Sequence, residues 1–565
     1  MRVSLLTRAT LTSALGASLL VALSSVAPIA QSRPKFFADD PIAREPDSQD
    51  ASKTAEWDIG LIADLTLNVF FKPGDLTPNV RAQNVNTIDE VPDSSWFTNR
   101  IYARPLSVDD LARGPNTVDG PAAGKWTIIR AKTAGTAPGF TVRDEAGNIW
   151  FLSLDARGYP VAATAAIAVA TRLFWGLGYY VPEGHLTTLR PENIVIGDKV
   201  TIPSHGRRRR FTDADLREVF ARANKSDDGT YRAMAQRGLP GRVIGGFKYF
   251  GTRPDDPNDV IPHEHRRELR ALQVFGAWTN LVDMKAGNTL DTVITENGRA
   301  HVRHYLQDVG STFGTGSLDP RDPDEGHERV YQGAPTAKRL VTFGLYIQPW
   351  QTLDYEKNEE IGLFTANGFE PEKWTPRVPA AALLRARADD MLWAALRVMA
   401  FTDEHIRAAA KTGQYTDPAA EKLLGDVLIA RRDKIARAYT ANVNPLVKFS
   451  LDGTGALTFE NPAVRAHIAD APKGGYQAAW ARFDNDTGAT QPIGSPTTGR
   501  ERLQAPGDLP QGEGVYVKAS VSAVDGPHAA WATPVDVYFR RTGGQWRLVG
   551  VERLPNTVPA APVKK

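Results

Sequence analysis

Leu281-Val282-Asp283-Met284-Lys285-Ala286-Gly287-Asn288 closes a long segment of helical apolar spacing, and the β-like run that follows ends in Asp308-Val309-Gly310. Asp283 stands five residues before Asn288 and 25 before Asp308. Transfer of a phosphoryl group needs an acid to orient the acceptor and oxygen ligands for the cations on the triphosphate. An Asp, an Asn five positions on, and an Asp-x-Gly after a hairpin supply those groups.

Upstream of this stretch, His263 to Val282 repeats Leu269, Leu272, Val274, Phe275 and Trp278, which predicts one long helix delivering Asp283. Short strands are expected around 289–295 and 300–306, with Asp308 at the exit of the second. Trp126 to Arg130, Gly139 to Val142 and Ile149 to Leu154 read as three strands, and Asp144-Glu145-Ala146-Gly147-Asn148 as the turn between the last two. Pro160 opens an Ala-rich helix with Gly178 as its C-cap. Its Arg172 and short apolar length describe a buried helix rather than a membrane span. Strands follow at 193–202 and 242–250, flanking an insertion that carries Arg207 to Arg210, read as a solvated loop before a helix start at Thr212/Asp213.

In this order the elements resemble the protein-kinase-like superfamily, in the divergent form of HipA-type, phosphoinositide-kinase-type and secreted CotH/Fam-type kinases. Asp283 matches the catalytic-loop Asp, Asn288 the metal-binding Asn, and Asp308-Val309-Gly310 the Asp-Phe-Gly element. The resemblance implies an α+β, bilobal fold with a β-rich N-lobe and a helical C-lobe. It also implies Mg²⁺ or Mn²⁺, with ATP or another nucleotide, in the interlobe cleft. Lys132-Thr133-Ala134-Gly135-Thr136-Ala137-Pro138-Gly139 sits where that fold places a glycine-rich loop, so Gly135 and Gly139 are expected at the phosphates. The spacing is not G-x-G-x-x-G, and Pro138 removes one donor. Two departures matter more. The third strand offers Ser153 where the family carries its phosphate-anchoring Lys, and no acid lies between Asp155 and Glu183 to pair with one. Lys132 or Arg143 is the candidate replacement cation.

Outward from this core, 31–119 reads as a polar tether and a packed lead-in ending at Val91-Pro92-Asp93-Ser94-Ser95-Trp96-Phe97, 120–260 as the N-lobe and 261–440 as the C-lobe. Residues 445–565, Gly/Pro-rich with β-prone runs, read as a small all-β, sandwich-type domain. At the N-terminus, Arg2 and Arg8, an apolar stretch from Leu11 to Val26 and small residues at Ala27 and Ala30 form a secretory signal. Cleavage near Ala30 places the mature chain in the periplasm or medium. Pro28 at the −3 position keeps a retained anchor as the alternative. With Cys 0 there is no lipobox thiol and no disulfide, so the fold depends on core burial.

A net charge of +2 argues against nucleic acid as a partner. The partners expected are a nucleotide and a protein or polysaccharide acceptor; the rival reading is a catalytically inactive pseudokinase acting as an envelope scaffold. His263-Glu264-His265 lacks the i, i+4 spacing of a zinc helix, and His301 and His304 read as structural. Trp278, Trp393 and Trp546 read as core aromatics, and Asp255, Asp256 and Asp259 as a helix-leading turn.

Overall fold

The structure, a computed structural model, describes residues 33–132, 137–204, 207–315 and 322–554. The N-terminal stretch read as a secretory signal and Gly135 lie outside the described residues. The polar N-terminal stretch is fastened near its start. Phe36 is buried against Phe483 and Tyr538, and the Lys35 ammonium reaches Glu552 at 2.9 Å, so an aromatic plug and an ion pair hold what composition reads as a tether. Helix α1 (Leu61–Thr66) runs into a wider turn over Leu67–Phe71. Helix α2 (Val108–Arg113) is capped by Ser107, whose hydroxyl accepts from the Asp110 amide at 3.0 Å. Between them Val91, Trp96 and Phe97 enter the main core.

The N-lobe is a six-stranded sheet of order β4-β8-β3-β2-β1-β5. Its strands are β1 (Trp126–Ala131), β2 (Gly139–Arg143), β3 (Ile149–Leu154), β4 (Gly184–Leu189), β5 (Ile194–Ile196) and β8 (Tyr231–Arg237). Only the β1–β5 edge is parallel. Alternation puts Trp150, Leu152 and Leu154 of β3 into one core with Ile128, Val142 and Ala233, leaving Phe151 and Ser153 on the other face. The turn before β3 is set by Asp144, which accepts from the Asn148 amide at 2.8 Å and the Trp150 indole at 2.9 Å. Helix α3 (Ala162–Leu177) stops at Gly178, φ 125°, whose N–H returns to Phe174 and Trp175. Its Val169, Leu173 and Phe174 belong to the C-lobe core, which ties the lobes together.

The arginine run is not a loop. Arg207–Arg210 is strand β7, paired with β6 (Thr201–Ser204) as an exposed hairpin before helix α4 (Asp213–Arg222). The charge it concentrates is answered by Asp215, which takes two hydrogen bonds from Arg209 at 2.6 Å while closing the capping box with Thr212.

In the C-lobe the long helical pattern divides into a 3₁₀ turn, His263–His265, and α5 (Arg267–Thr279). Asn280, at φ 56°, ends α5 three residues before Asp283. Strand β9 is only Arg242–Val243, because the Ile244 carbonyl is taken by the Trp57 amide and the Arg253 guanidinium. Strands β10 (Thr289–Glu296) and β11 (Arg299–Leu306) form the expected hairpin, Thr289 opposite Leu306. Helices α6 (Gly333–Val341), α7 (Ala381–Leu384), α8 (Ala388–Met399), α9 (Asp403–Lys411) and α10 (Pro418–Ala441) follow. Trp278 is fully buried, its indole donating to Leu428 of α10 at 2.9 Å. A charged seam also runs through this core: Arg267 pairs with Asp390 and Asp89, each at 2.9 Å, binding α5 to α8 and to the lead-in.

Beyond α10, a three-stranded sheet (Val447–Leu451, Ala456–Glu460, Arg502–Gln504) shares a core with a larger sheet. The long strands of the latter are Tyr476–Phe483, Tyr516–Ala523, Val535–Thr542 and Gln545–Glu552. The Trp531 indole donates to Thr440 of α10 at 2.8 Å and fixes this unit to the C-lobe. The chain is thus α+β: a β-rich lobe and a helical lobe that share a core, followed by a small all-β domain.

Candidate functional site

The loop between α5 and β10 folds on Asp283. Leu281 and Val282 are buried anchors, so the next residue is presented at the surface of the C-lobe core. The Asp283 carboxylate accepts from Lys285 Nζ at 2.8 Å and from Asn288 Nδ2 at 3.1 Å, and the same amide donates to the Asp283 carbonyl at 2.7 Å. Residues Ala286–Asn288 form a 3₁₀ turn closed by the Asn288 amide on the Lys285 carbonyl at 2.9 Å. Both amide hydrogens of Asn288 are thereby spent inside the loop. Its Oδ1 has no donor among the described residues.

The β10–β11 register carries the second acid to the same place. The Asn288 carbonyl accepts from the Gln307 and Asp308 amides at 3.0 and 3.1 Å, which fixes Asp308 beside the loop. Asp308 Oδ1 accepts from the Gly310 amide at 3.0 Å. Val309 is buried in the core, and a Cβ at Gly310 would lie 2.6 Å from Ile167 Cγ1 of α3, so the turn after Asp308 packs directly on that helix. Asn288 and Asp308 offer one amide oxygen and a carboxylate with its second oxygen spare, a set of hard donors that fits Mg²⁺ or Mn²⁺. Among the described residues there is no group of three or more His, Cys, Asp or Glu suited to a metal.

Across the cleft the N-lobe is poor in charge. Gly139 and Ser153 are paired across β2 and β3, with Met234 on the far side of Ser153. A Cβ at Gly139 would fall 2.1 Å from the Leu152 carbonyl oxygen, so close strand pairing alone demands glycine there. Ser153 is half-buried and no carboxylate stands on α3. Lys132, one of the two candidate cations, is the residue after β1. Partial desolvation pushes its ammonium below the ordinary lysine range, the Asp308 carboxylate acts against that, and Arg222 adds to it. Asp308 and Lys132 are therefore near enough to interact through their charges. Arg143 does not qualify: it ends β2 four residues from Gly139, and its guanidinium turns to the Gly147 carbonyl at 3.4 Å.

Two contributors escape a reading of the sequence. Lys285 lies inside the quoted motif but takes its meaning only from its contact with Asp283. Asp64 of α1 is buried against the loop and takes a hydrogen bond from the Ala286 amide; burial pushes its carboxyl up, with Lys248 and that amide opposing. More than 200 residues separate the two, and no local pattern signals the contact.

His263, His265 and His304 are held in buried structural contacts. His263 contacts Asp259 at 2.8 Å, His265 contacts Asp75 at 2.9 Å, and His304 lies 3.5 Å from the Trp96 ring centre while bonded to Asp291 at 2.8 Å. Among the described residues no helix is long and apolar enough to cross a membrane.

No protein-family model and no curated protein matches the chain. Among solved structures it is similar to a proinflammatory kinase of Helicobacter pylori, CtkA, at 10% identity and a TM-score of 0.28, over 56% of this chain and 96% of that one. It is also similar to a Golgi casein kinase at 12% identity and a TM-score of 0.30, over 72% and 95%.

Proposed function

We propose that the cleft binds ATP or another nucleoside triphosphate with Mg²⁺ or Mn²⁺ and transfers the γ-phosphoryl group to an acceptor hydroxyl on an exported protein or polysaccharide. The observation that carries this reading is the interlocked set Asp283, Lys285, Asn288 and Asp308, with Lys132 near enough to Asp308 to interact through their charges. Asn288 Oδ1 and the Asp308 carboxylate would hold the cation, which supplies charge neutralisation for the triphosphate. Asp283 orients the acceptor O–H and takes its proton as the acceptor oxygen bonds to phosphorus and the nucleoside diphosphate departs. Lys285 holds the Asp283 carboxylate in place, and Lys132 faces the phosphates from the N-lobe.

A second reading, binding without turnover, is favoured by one observation: α3 offers no carboxylate to steady Lys132. In that case the protein serves as an envelope scaffold. The deciding measurement is thermal unfolding of the mature protein with ATP, with and without Mg²⁺ or Mn²⁺, beside transfer of labelled γ-phosphate to itself or to envelope extracts. Absence of any metal-dependent shift sinks both readings of the cleft; a shift without transfer selects the scaffold. Export belongs to the same proposal and rests on the basic, apolar and small-residue zones of residues 1–30. N-terminal sequencing of the periplasmic or secreted protein should begin near residue 31, and full-length chain confined to the cytoplasm would overturn it.

A further inference from the structure

Away from the cleft, a cavity of about 840 Å³ opens where the lead-in, the α7–α8 junction and the end of the β domain meet. That is the size range of small-molecule sites. Its wall carries four cations, Lys72, Arg270, Arg385 and Arg387, and no carboxylate among the described residues that line it. Leu76, Leu384 and Leu554 make up part of the remaining, apolar wall.

The charge behind this wall is unbalanced. Three buried carboxylates, Asp89, Asp389 and Asp390, serve five guanidiniums, those of Arg81, Arg267, Arg270, Arg387 and Arg553. Asp75, whose carbonyl is bonded to Arg385, turns its carboxylate to the Thr77 amide at 2.8 Å and to His265 at 2.9 Å. Arg387 works as a clamp: it donates to the Asn79 carbonyl at 2.9 Å and the Leu554 carbonyl at 3.0 Å while touching Asp389 at 3.1 Å. Arg385 donates Nε to the Asp75 carbonyl at 2.6 Å, but its Nη2 is shut from solvent with no acceptor among the described residues. Neither Arg385 nor Lys72 has a carboxylate partner among them. Clustered cations in a partly desolvated wall repel one another, and an anion in the cavity relieves that repulsion.

We infer that this cavity is a binding site for an organic anion bearing at least two negative charges, phosphate or carboxylate, on a partly apolar body. The charged end would lie toward Arg385 and Lys72, where guanidinium and ammonium donors are available, and the body along the leucines. A ligand held there touches three parts of the chain at once, so it stabilises the folded protein as a whole.

The test uses the mature chain in EDTA at fixed ionic strength, which separates this site from a metal-dependent cleft, with fructose 1,6-bisphosphate and citrate as probes. A saturable rise in Tm is expected with one or both; the more effective probe identifies phosphate or carboxylate as the preferred group. The response should weaken about tenfold or more in the Lys72→Gln/Arg385→Gln variant, and likewise in Ala386→Asp, which adds a repelling charge to the wall without removing a contact of Arg385. It should persist in Asp308→Ala. No saturable shift with either probe, an unchanged response in Ala386→Asp, or a response lost with Asp308→Ala would each overturn the inference.

Discussion

The two sides of the cleft are built on different physics. On the C-lobe side, Asp283, Lys285, Asn288 and Asp308 are locked by short hydrogen bonds, several of them from backbone amides. On the N-lobe side Ser153 carries no charge, α3 carries no acid, and the candidate cation is Lys132, at the edge of β1. A side chain held by backbone amides keeps its geometry at little entropic cost, whereas a Lys beside a loop must be ordered when the ligand binds. Metal binding should therefore be the robust half of the site, and phosphate anchoring the adjustable half.

The largest expected effect tests the robust half. Asp308→Ala removes a carboxylate that, among the described residues, accepts a hydrogen bond only from the Gly310 amide, so the fold should survive while Mg²⁺- or Mn²⁺-dependent nucleotide binding is lost. Calorimetric titration together with circular dichroism checks this. Unfolding of the variant would make Asp308 a structural acid, and unchanged metal dependence would remove the site's defining ligand.

How much of this was legible in the sequence follows from the range of the forces involved. The Asp283–Asn288 loop, the hairpin after it and Asp308 are short-range features, set by spacing and turn chemistry, and the structure brings them together. The first three strands of the N-lobe were readable as short β-prone runs for the same reason, whereas Gly184–Leu189 and Tyr231–Arg237 were not signalled, and the strand expected over 193–202 divides into Ile194–Ile196 and Thr201–Ser204. The arginine hairpin was not, because a strand of four exposed arginines has no apolar alternation and is defined only by pairing with Thr201–Ser204. The end of α5 was misplaced by three residues, since Leu281 and Val282 continue its apolar pattern although Asn280 has already turned the backbone left-handed. Long-range contacts left no trace: Asp64 at the Ala286 amide, and Asp89 and Asp390 at Arg267, join residues more than a hundred positions apart.

A middle-sized effect addresses the adjustable half. Lys132→Ala should weaken nucleotide affinity about tenfold, roughly 1.4 kcal/mol, as expected for loss of one charge-assisted contact that is partly open to water. The pH profile gives an independent readout. Burial lowers the Lys132 pKa, with Asp308 opposing, so the folded protein releases this proton more readily than the unfolded chain. Its charged form therefore costs stability at neutral pH, and that cost lifts as pH rises from the lowered pKa toward the unfolded value near 10.4. Affinity moves the other way: it should be full at neutral pH and fall as Lys132 deprotonates. A flat profile for the parent, or one identical in Lys132→Ala, would remove Lys132 from the phosphate site.

The smallest effect is the most discriminating. Ser153→Lys installs an ammonium on β3 between Gly139 and Met234, where the resemblance to kinases expects one. Two cations at one phosphate repel, and α3 has no acid to hold the newcomer, so in the parent the gain should be no more than about threefold, roughly 0.7 kcal/mol. In the Lys132→Ala background the same substitution meets an unoccupied role and should recover about tenfold in affinity. Turnover should recover less, because an unsteadied lysine binds charge better than it positions a reacting group. The interaction energy between the two positions is thus expected to be of order 0.7 kcal/mol and antagonistic, within the range that such cycles resolve for neighbouring residues. Equal gains in both backgrounds would mean that Lys132 and position 153 do not serve the same phosphates, and the contrast between a fixed C-lobe half and an adjustable N-lobe half would have to be redrawn around another cation.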